Sequence, residues 1–461
     1  MQTVATPSGR LQQGVSPAAR PSRTRYVVVL FAIALAVVQY VDRVSISQAM
    51  PDMARDLSLS ADQQGWVFSA FALAYALFEI PTGWLGDVLG AKRVLIRVVL
   101  WWSFFTVATG WVRGFWSAVV TRFLFGAGEA GCFPNLTKAF SAWLPQDERT
   151  RAQSIMWMGA RWGGAVTPLL VVLIMTVVTW RTAFLLFGLL GVAWAVAFAW
   201  WFTNNPRDHK GVNAAELALL AANEQNVSVH GKVPWRALMT RPTMWLLWAQ
   251  YFCLSYGWYF YVTWLPTYLR DARGTDIKAN PVTHWLQTLL EGSFSAETTI
   301  RLLAAALAGI PLLFGGFGSL TAGVLSSRLL ARGANVVRVR RSFAYVGFAG
   351  ASGLLMASFY IKDPLLAMLS MGLASFANDL TMPGSWSTCM DIGGKYAGTV
   401  SGSMNMMGNL GGMAGPLAVG LILQYTNRDW QLAFAISSIV YCLGAFCWMW
   451  IDPVTPLESY E

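Results

Sequence analysis

The chain has 461 residues, of which 55% are hydrophobic and only 12% are charged. A soluble domain carries about a quarter charged residues, so there is too little polar material to cover the globular domains that this length would otherwise form. The apolar residues fall in blocks of about 20, the length at which a helix spans the hydrocarbon core of a bilayer. The composition therefore indicates an all-α membrane protein in contact with lipid.

Neither the net charge nor the cysteines point to another class of protein. The formal net charge is +10, but the basic residues lie in short connections between apolar blocks, which is typical of membrane topology and argues against a nucleic-acid partner. All five cysteines lie within apolar blocks and lack metal-ligand spacing. We therefore expect neither a metal nor a cofactor.

The chain begins with a basic stretch, residues 1–25, which contains four arginines and no acid. Its composition resembles a transit peptide, but three prolines would interrupt the amphipathic helix of such a peptide. We interpret the stretch as a cytoplasmic tail.

Twelve apolar blocks follow and predict twelve transmembrane helices in two bundles. The N-terminal six-helix bundle covers 26–203, a polar linker covers 204–244, the C-terminal bundle covers 245–451, and a short cytoplasmic tail, 452–461, ends the chain. The predicted spans are 26–46, 63–84, 92–112, 116–140, 151–177, 181–203, 245–269, 301–327, 342–360, 364–390, 396–425 and 430–451.

The charges of the connections predict the orientation in the membrane. The connection 328–341 holds five arginines and no acid, whereas the connection between the first two predicted helices holds three aspartates against one arginine. Basic connections face the cytoplasm, so both termini and the linker are predicted to lie there. The outer segment 270–301 is long, and its stretch from His284 to Glu291 predicts a short surface helix to which we assign no role.

Three matches between the halves of the chain indicate an internal duplication. Residues 83–87 (GWLGD) correspond to 323–327 (GVLSS), a Gly-Gly pair precedes a proline in helix 5 and again in helix 11, and Trp180 opens helix 6 as Trp430 opens helix 12. The offset is about 240–250 residues each time. Two pseudo-symmetric bundles are therefore expected.

Ionisable residues inside the predicted spans, at least three residues from either end, are the first candidates for function, because a charge in hydrocarbon costs several kcal/mol unless it is paired or hydrated. The two signs balance, as a buried network around a water-filled cavity would need. The residues are Asp42, Glu79, Glu129 and Asp379 against Arg43, Arg97, Arg122 and Arg161.

Arg122 and Glu129 lie two helical turns apart on one helix face, about 10 Å along the axis. They are too distant to pair directly but are placed to flank a substrate and its coupling proton. The alternative is a structural pair that holds helices 1 and 4 together. A guanidinium group recognises a carboxylate bidentately, so either Arg43 or Arg122 is expected to contact a substrate carboxylate while the other neutralises Asp42.

Arg161 lies about 15 Å into helix 5, close to the bilayer midplane. It is either a substrate ligand or the partner of Glu79 or Asp379. Further hydroxyl, amide and ring groups suit a polyhydroxylated ligand, although about half of the aromatic residues would instead pack helices or face lipid. These residues are Tyr75, Tyr256, Tyr259, Trp264, Ser385, Trp386, Asn405 and Asn409.

The segment GWLGDVLGAKR, residues 83–93, is similar to the signature between helices 2 and 3 of the major facilitator superfamily. Within it, the chain resembles the anion:cation symporters, which include bacterial sugar-acid carriers and vesicular glutamate and sialic acid carriers. The stretches that carry this resemblance are Asp42-Arg43, FSAFALAY ending at residue 75, RFLFGAGEAGCFPN over 122–135, SYGWYFYVTWLPTYL over 255–269 and SGSMNMMGNLGG over 401–412.

The resemblance implies roles for particular residues. Asp87 and Arg93 are expected to gate, although Ser327 replaces the aspartate in the second copy of the motif. Asp42 and Glu129 are expected to couple protons, and Tyr75 and Asn405 to contribute to the binding site. Glu79, where many relatives have glutamine, is a second acid that would act as a gate or as a further proton site.

The resemblance also implies a function. We expect proton-coupled symport of a small organic anion, a sugar acid such as a hexuronate or aldonate, by a monomer in the bacterial inner (plasma) membrane. Helix 7 lacks the arginine of the vesicular carriers, which argues against glutamate or phosphate. The alternative is an exporter or exchanger of amphiphilic compounds. No nucleophile–base or nucleotide-binding arrangement indicates an enzyme, and a non-transporting receptor is the remaining alternative.

Overall fold

The computed structural model describes residues 20–221, 235–263, 296–361 and 364–457, together with residues 233, 288 and 294. The first 19 residues, most of the 270–301 segment with its predicted surface helix, and Trp264 lie outside this part of the chain. Within it, the regular secondary structure is entirely helical.

The first half contains seven long helices, which we label in chain order. They are α1 (Thr24–Leu57), α2 (Ala61–Leu89), α3 (Ala91–Thr109), α4 (Phe115–Glu129), α5 (Cys132–Trp143), α6 (Gln146–Met175) and α7 (Trp180–Trp201). Side-chain caps fix several helix starts. Ser60, for example, forms a capping box with Gln63 at the start of α2, and Thr179 caps α7.

Two short helices, α8 (Ala214–Leu220) and α9 (Trp235–Thr240), belong to the linker region. The second half contains α10 (Pro242–Thr263), α11 (Ala296–Ala331), α12 (Val336–Tyr360), α13 (Pro364–Gly393), α14 (Ala397–Tyr425) and α15 (Trp430–Cys447). With α4 and α5 counted as one broken span, twelve helices are arranged as two six-helix bundles, as the sequence predicts. Several of these helices are longer than their predicted spans, most of all α1 and α11.

The same helix pairings occur in both bundles. In the first half α1 packs on α6, α2 on α4 and α3 on α7; in the second half α10 packs on α14, α11 on α13 and α12 on α15. These are the first with the fifth, second with the fourth and third with the sixth span of each half. The pairings therefore express the internal repeat that the sequence indicates.

The outer surfaces of the bundles are apolar, which is the reverse of a soluble protein. Along α7, Leu189, Val196 and Trp200 are exposed, while Phe187 and Trp194 are buried against the bundle. Eight stretches of the described residues are long and apolar enough to cross a membrane. Most of the ionisable side chains singled out within the predicted spans are instead turned inward, where they can pair, but Arg97 is exposed, so its predicted place in a buried network is wrong.

One predicted span is broken into two helices. The sequence predicts a continuous helix over 116–140, but α4 ends at Glu129 and α5 begins at Cys132. Gly131 has a positive φ of +82°, and a Cβ there would clash with the side chain of Thr82, so this position requires glycine. The Asn135 amide donates to the carbonyls of Gly131 (2.7 Å) and Thr82 (3.1 Å), which joins the start of α5 to α2.

The two bundles meet along two related seams, α2 with α14 and α6 with α11. In the first seam the backbones touch at glycine. A Cβ on Gly83 would clash with the carbonyl of Gly398, and one on Gly402 would lie 2.8 Å from the carbonyl of Glu79. Such small residues allow close helix packing within a membrane, so Gly83 of the signature has a direct role in holding the two halves together.

The start of α1, the linker and the end of the described chain lie at one end of the bundles. We call this end the terminal side. There Arg25 binds Glu148 of α6 (2.8 Å) and Glu216 of α8 (2.9 Å). Ser22 donates to Glu216 as well (2.5 Å). The linker helix α8 is therefore attached to the start of α1 and to the start of α6.

Candidate functional site

The polar interior of the first half centres on an ion pair between α1 and α4. The Arg43 guanidinium donates from Nε to Glu129 Oε1 (2.9 Å), and its Nη2 lies 2.8 Å from the same oxygen at ion-pair distance. The Glu129 side chain is 0% exposed and that of Arg43 is 20% exposed. The second carboxylate oxygen, Oε2, has no hydrogen-bond partner. The break after α4 places Glu129 at a helix end, where it meets α1.

Arg122 and Asp42 lie near this pair without joining it. Arg122 is buried, its guanidinium carbon lies 4.3 Å from the ring centroid of Phe125, and its Nε has no partner. Asp42 is buried on the α3 side, where Trp102 Nε1 donates to its Oδ2 (3.0 Å) and its Oδ1 has no partner. The sequence predicted that either Arg43 or Arg122 neutralises Asp42; in the structure Arg43 instead pairs with Glu129, and Asp42 accepts from Trp102.

Aromatic rings surround the Arg43 guanidinium. Its carbon lies 4.4 Å from the ring centroid of Tyr75 and 5.9 Å from that of Tyr40. Tyr259 from the second half is half-buried and within electrostatic range of both Arg43 and Arg161. The rings fix the guanidinium by cation–π contact, and the tyrosines present hydroxyls close to it.

A second ion pair joins the halves. Arg161 of α6 binds Asp379 of α13 bidentately, Nε to Oδ2 at 2.6 Å and Nη2 to Oδ1 at 3.0 Å. Both side chains are buried. Arg161 also donates from Nη1 to the hydroxyl of Tyr40 (3.3 Å) and lies over the ring of Trp258 at 4.2 Å. Of the partners considered from the sequence, the structure places Asp379 on Arg161.

Glu79 takes part in a third polar contact between the halves. Asn405 Nδ2 donates to Glu79 Oε1 at 2.6 Å, and Glu79 Oε2 is buried without a partner. Asn409 donates to the carbonyl of Asn405 (2.9 Å), which keeps both amides on the same face of α14. The structure therefore brings Asn405 to an acid rather than directly to either arginine.

Trp386 lies deeper, in an aromatic cluster. It is fully buried, donates to the hydroxyl of Tyr251 (2.8 Å) and packs on Trp157 (5.3 Å between ring centroids). The Trp157 ring lies 6.0 Å from the Arg161 guanidinium carbon. The cluster thus forms a wall beside the second ion pair.

Asp87 connects the halves at the terminal side. It accepts hydrogen bonds from the backbone N–H of Gly398 (3.1 Å) and of Thr399 (2.7 Å) and from the Thr399 hydroxyl (2.6 Å), at the start of α14. Lys138 lies 3.6 Å from Asp87. A carboxylate at a helix N-terminus is favoured both by the free N–H groups and by the helix dipole. Arg93 is exposed and forms no ion pair with any residue that the structure describes.

A second polar contact between the halves on the terminal side involves residues that the sequence analysis did not single out. Asp391 accepts from Arg149 of the first half and from Arg340 of the second half, each at 2.5 Å. Asp391 follows the predicted end of its span by one residue, and a lone acid in a connection on the basic side of the membrane was the available signal. Tyr40 was also missed, although it stands one helical turn before Arg43.

Twelve apolar helices in two related bundles, with paired charges enclosed between them, define a polytopic helical membrane transporter rather than an enzyme. The chain belongs to the Major Facilitator Superfamily, whose family model matches residues 32–416.

Individual proteins that are similar to this chain are also named as transporters. The chain is 34% identical to the probable sulfoacetate transporter SauU of Cupriavidus necator, over 95% of this chain and 96% of that protein. It is 30% identical to the probable galactarate/D-glucarate transporter GarP of Escherichia coli strain K12, over 93% and 94%. The fold is similar to that of the E. coli fucose:proton symporter FucP, with a TM-score of 0.66 at 15% identity, over 93% of this chain and 100% of that one.

Proposed function

We propose that the protein is a proton-coupled symporter of a small organic anion that works by alternating access. The observation that carries the proposal is the Arg43–Glu129 pair, in which a fully buried carboxylate with one unpartnered oxygen neutralises a partly exposed guanidinium. A proton on Glu129 would release Arg43 for a substrate carboxylate, and loss of that proton would restore the pair. Proton and substrate would therefore bind together and leave together.

The electrostatic cost of an unpaired buried charge couples binding of the anion to binding of the proton. Removing one partner of a buried ion pair costs about 3–5 kcal/mol, so the anion and the proton each favour binding of the other. Asp42, with its own unpartnered oxygen, is the second proton-coupling candidate, and Arg122 adds a positive charge that keeps the pocket attractive to anions. With Glu129 protonated and a substrate carboxylate on Arg43, neither group leaves an unpaired charge, which lowers the cost of the conformational change within the membrane.

The substrate class rests on the pocket chemistry and on the relatives. Arg43 provides a fork for a carboxylate, while the hydroxyls of Tyr75 and Tyr259 and the Asn405 amide suit a polyhydroxylated chain. Transporters of sulfoacetate and of galactarate and D-glucarate are among the similar proteins. We therefore propose a sugar acid, with hexuronates and aldonates among the first compounds to test.

The proposed orientation places the terminal side in the cytoplasm of a bacterial cell, because the basic connections lie there. On that side, the hydrogen bonds of Asp87 and the ion pairs of Asp391 join the two halves. Asp87 would then gate the inner entrance, and the substrate would enter from the outside. We propose that a single chain forms the complete pathway, since both bundles of one chain contribute to the polar interior.

Uptake into proteoliposomes under an imposed pH gradient tests the proposal. A panel of hexuronates, aldonates and other organic acids is offered with and without an acidic exterior. The wild type is expected to accumulate at least one sugar acid only under the gradient. Glu129→Gln is expected to abolish accumulation while it still exchanges labelled substrate across the membrane without a gradient.

Glu148→Gln is the matched control, because Glu148 also neutralises an arginine but lies on the terminal side, away from the pocket. It should retain both gradient-driven accumulation and exchange. Accumulation by Glu129→Gln at the wild-type level would remove the coupling role of Glu129. If no organic acid in the panel is accumulated under the gradient, the symport proposal itself is wrong.

A further inference from the structure

The interior contains two guanidinium–carboxylate pairs of the same kind. Arg43 binds Glu129 within the first half, and Arg161 binds Asp379 across the halves. Each carboxylate is 0% exposed and each arginine uses two nitrogens. Because a planar guanidinium is shaped for a carboxylate or a similar acidic group, each pair is an anion seat that an internal side chain occupies.

The two anion seats lie on either side of one tyrosine side chain. Tyr40 of α1 lies between them: the Arg43 guanidinium carbon is 5.9 Å from its ring centroid, and Arg161 donates to its hydroxyl (3.3 Å). The two arginines are therefore separated by little more than one tyrosine side chain. A small molecule with an acidic group at each end is long enough to reach both.

We infer that the substrate carries two acidic groups, one of which takes the place of Glu129 on Arg43 and the other that of Asp379 on Arg161. This inference rests on the proposed function and narrows its substrate class from sugar acids in general to dianions. A monoanion can satisfy only one seat and leaves Arg161 with Asp379. A dianion pairs one acidic group with Arg43 and the other with Arg161, so neither of its charges is buried without a partner.

The surroundings of the second seat are built for such an exchange. Without Asp379, Arg161 keeps the Tyr40 hydroxyl and the ring of Trp258 (4.2 Å), so the guanidinium stays in position. Asp379 in turn keeps the Asn378 amide, which donates to its Oδ1 (2.9 Å). Its Oδ2, the oxygen released by Arg161 Nε, accepts a proton from the coupled flux, which leaves Asp379 neutral.

Glycine leaves space at the same point. A Cβ on Gly315 of α11 would lie 2.7 Å from Asp379 Oδ2. Any larger residue there would crowd the carboxylate against Arg161, whereas glycine leaves room for it to move away. Since α11 and α13 both belong to the second half, the space remains when the two halves change their relative position.

The test compares two ligands that differ in one acidic group. D-Glucarate and D-gluconate have the same six-carbon chain with two carboxylates and one carboxylate respectively, and sulfoacetate and acetate form a shorter pair. Their apparent affinities are measured by competition in proteoliposomes under a pH gradient. In at least one pair the wild type is expected to prefer the compound with two acidic groups by roughly 10- to 100-fold, the effect of one charge-assisted interaction.

The double variant Arg161→Gln/Asp379→Asn removes the second seat without leaving an unpaired charge. It is expected to reduce the preference by the same factor. Arg149→Gln/Arg340→Gln/Asp391→Asn is the matched control, because it neutralises another buried arginine–aspartate cluster between the halves, one that lies outside the pocket, and leaves none of its members charged. That control should change both affinities together and leave their ratio as in the wild type.

The outcomes separate this inference from the proposed function. Gradient-driven uptake of gluconate or another monoanion without preference for the dianion in either pair would overturn the inference and leave symport intact. A preference that persists in Arg161→Gln/Asp379→Asn would also overturn it. The wild-type comparison alone decides the matter if the double variant does not fold. Absence of uptake for every organic acid would overturn the proposed function instead.

Discussion

The contact of Asp87 with the start of α14 gives a quantitative prediction about the equilibrium between closed and open terminal sides. Asp87 accepts three hydrogen bonds across the halves, two from backbone N–H groups and one from the Thr399 hydroxyl. Asp87→Ala removes all three, whereas Thr399→Val removes only the hydroxyl bond. Both variants are expected to favour the conformation in which the terminal side is open.

The magnitude follows from the number of bonds. A hydrogen bond to a charged group contributes about 1.5–3 kcal/mol, and the lower limit applies because Asp87 becomes hydrated when the halves separate. Thr399→Val should therefore shift the equilibrium by about 1.5 kcal/mol, or roughly tenfold. Asp87→Ala also leaves N–H groups of the helix start without an acceptor, so the shift should exceed about 3 kcal/mol, or roughly 100-fold.

Cysteine labelling measures this shift. In a variant without the five native cysteines, Ser401→Cys introduces a buried thiol on α14, one helical turn from the contact with Asp87. The thiol reacts with a hydrophilic maleimide only when the terminal side opens. Ser103→Cys, buried between α3 and α7 of the first half, reports unfolding and should stay unreactive.

The labelling rate should rise in the order wild type, Thr399→Val, Asp87→Ala. Equal rates in the wild type and Asp87→Ala would refute the reasoning, because the contact would then contribute nothing to the closed state. A rise that Ser103→Cys shares would indicate unfolding instead. A tenfold effect of Thr399→Val with no larger effect of Asp87→Ala would show that the hydroxyl alone carries the contact.

The remaining predictions concern individual contacts. Gly83→Ala places a Cβ against the Gly398 carbonyl, so labelling of Ser401→Cys should increase; an unchanged rate would mean that the seam adapts. Gly131→Ala puts alanine at a φ of +82°, which should destabilise by about 1–2 kcal/mol and lower the melting temperature by a few degrees in a thermal scan. Asp391→Asn leaves two buried arginines without their anion and should lower the free energy of unfolding by about 3 kcal/mol. Adding Arg149→Gln should restore part of this loss, and equal melting temperatures of Asp391→Asn and the double variant would contradict the prediction. Glu79→Gln can still accept from Asn405, so uptake should persist while its pH profile changes, and an identical profile would exclude Glu79 as a proton site.

The sequence by itself determined the number of membrane spans, their order and the two-fold repeat. Each of these depends on properties local in the chain: a block of apolar residues long enough to span a bilayer must form a helix, since only that satisfies its backbone hydrogen bonds. The repeated glycines and prolines then recur at equivalent helix positions. Most of the buried charges near the bilayer midplane were equally local, because a charge inside an apolar block has to find a partner; Arg97, however, is exposed, and the buried Asp391 was missed.

Only the tertiary structure decided which charges meet. Along one helix, Arg122 and Glu129 share a face, yet Glu129 binds Arg43, which lies on a different helix. Arg161 meets Asp379, 218 residues away. Side-chain spacing fixes a face within one helix, but the partner of that face depends on how separate helices pack, and a single sequence carries no local record of those distant contacts.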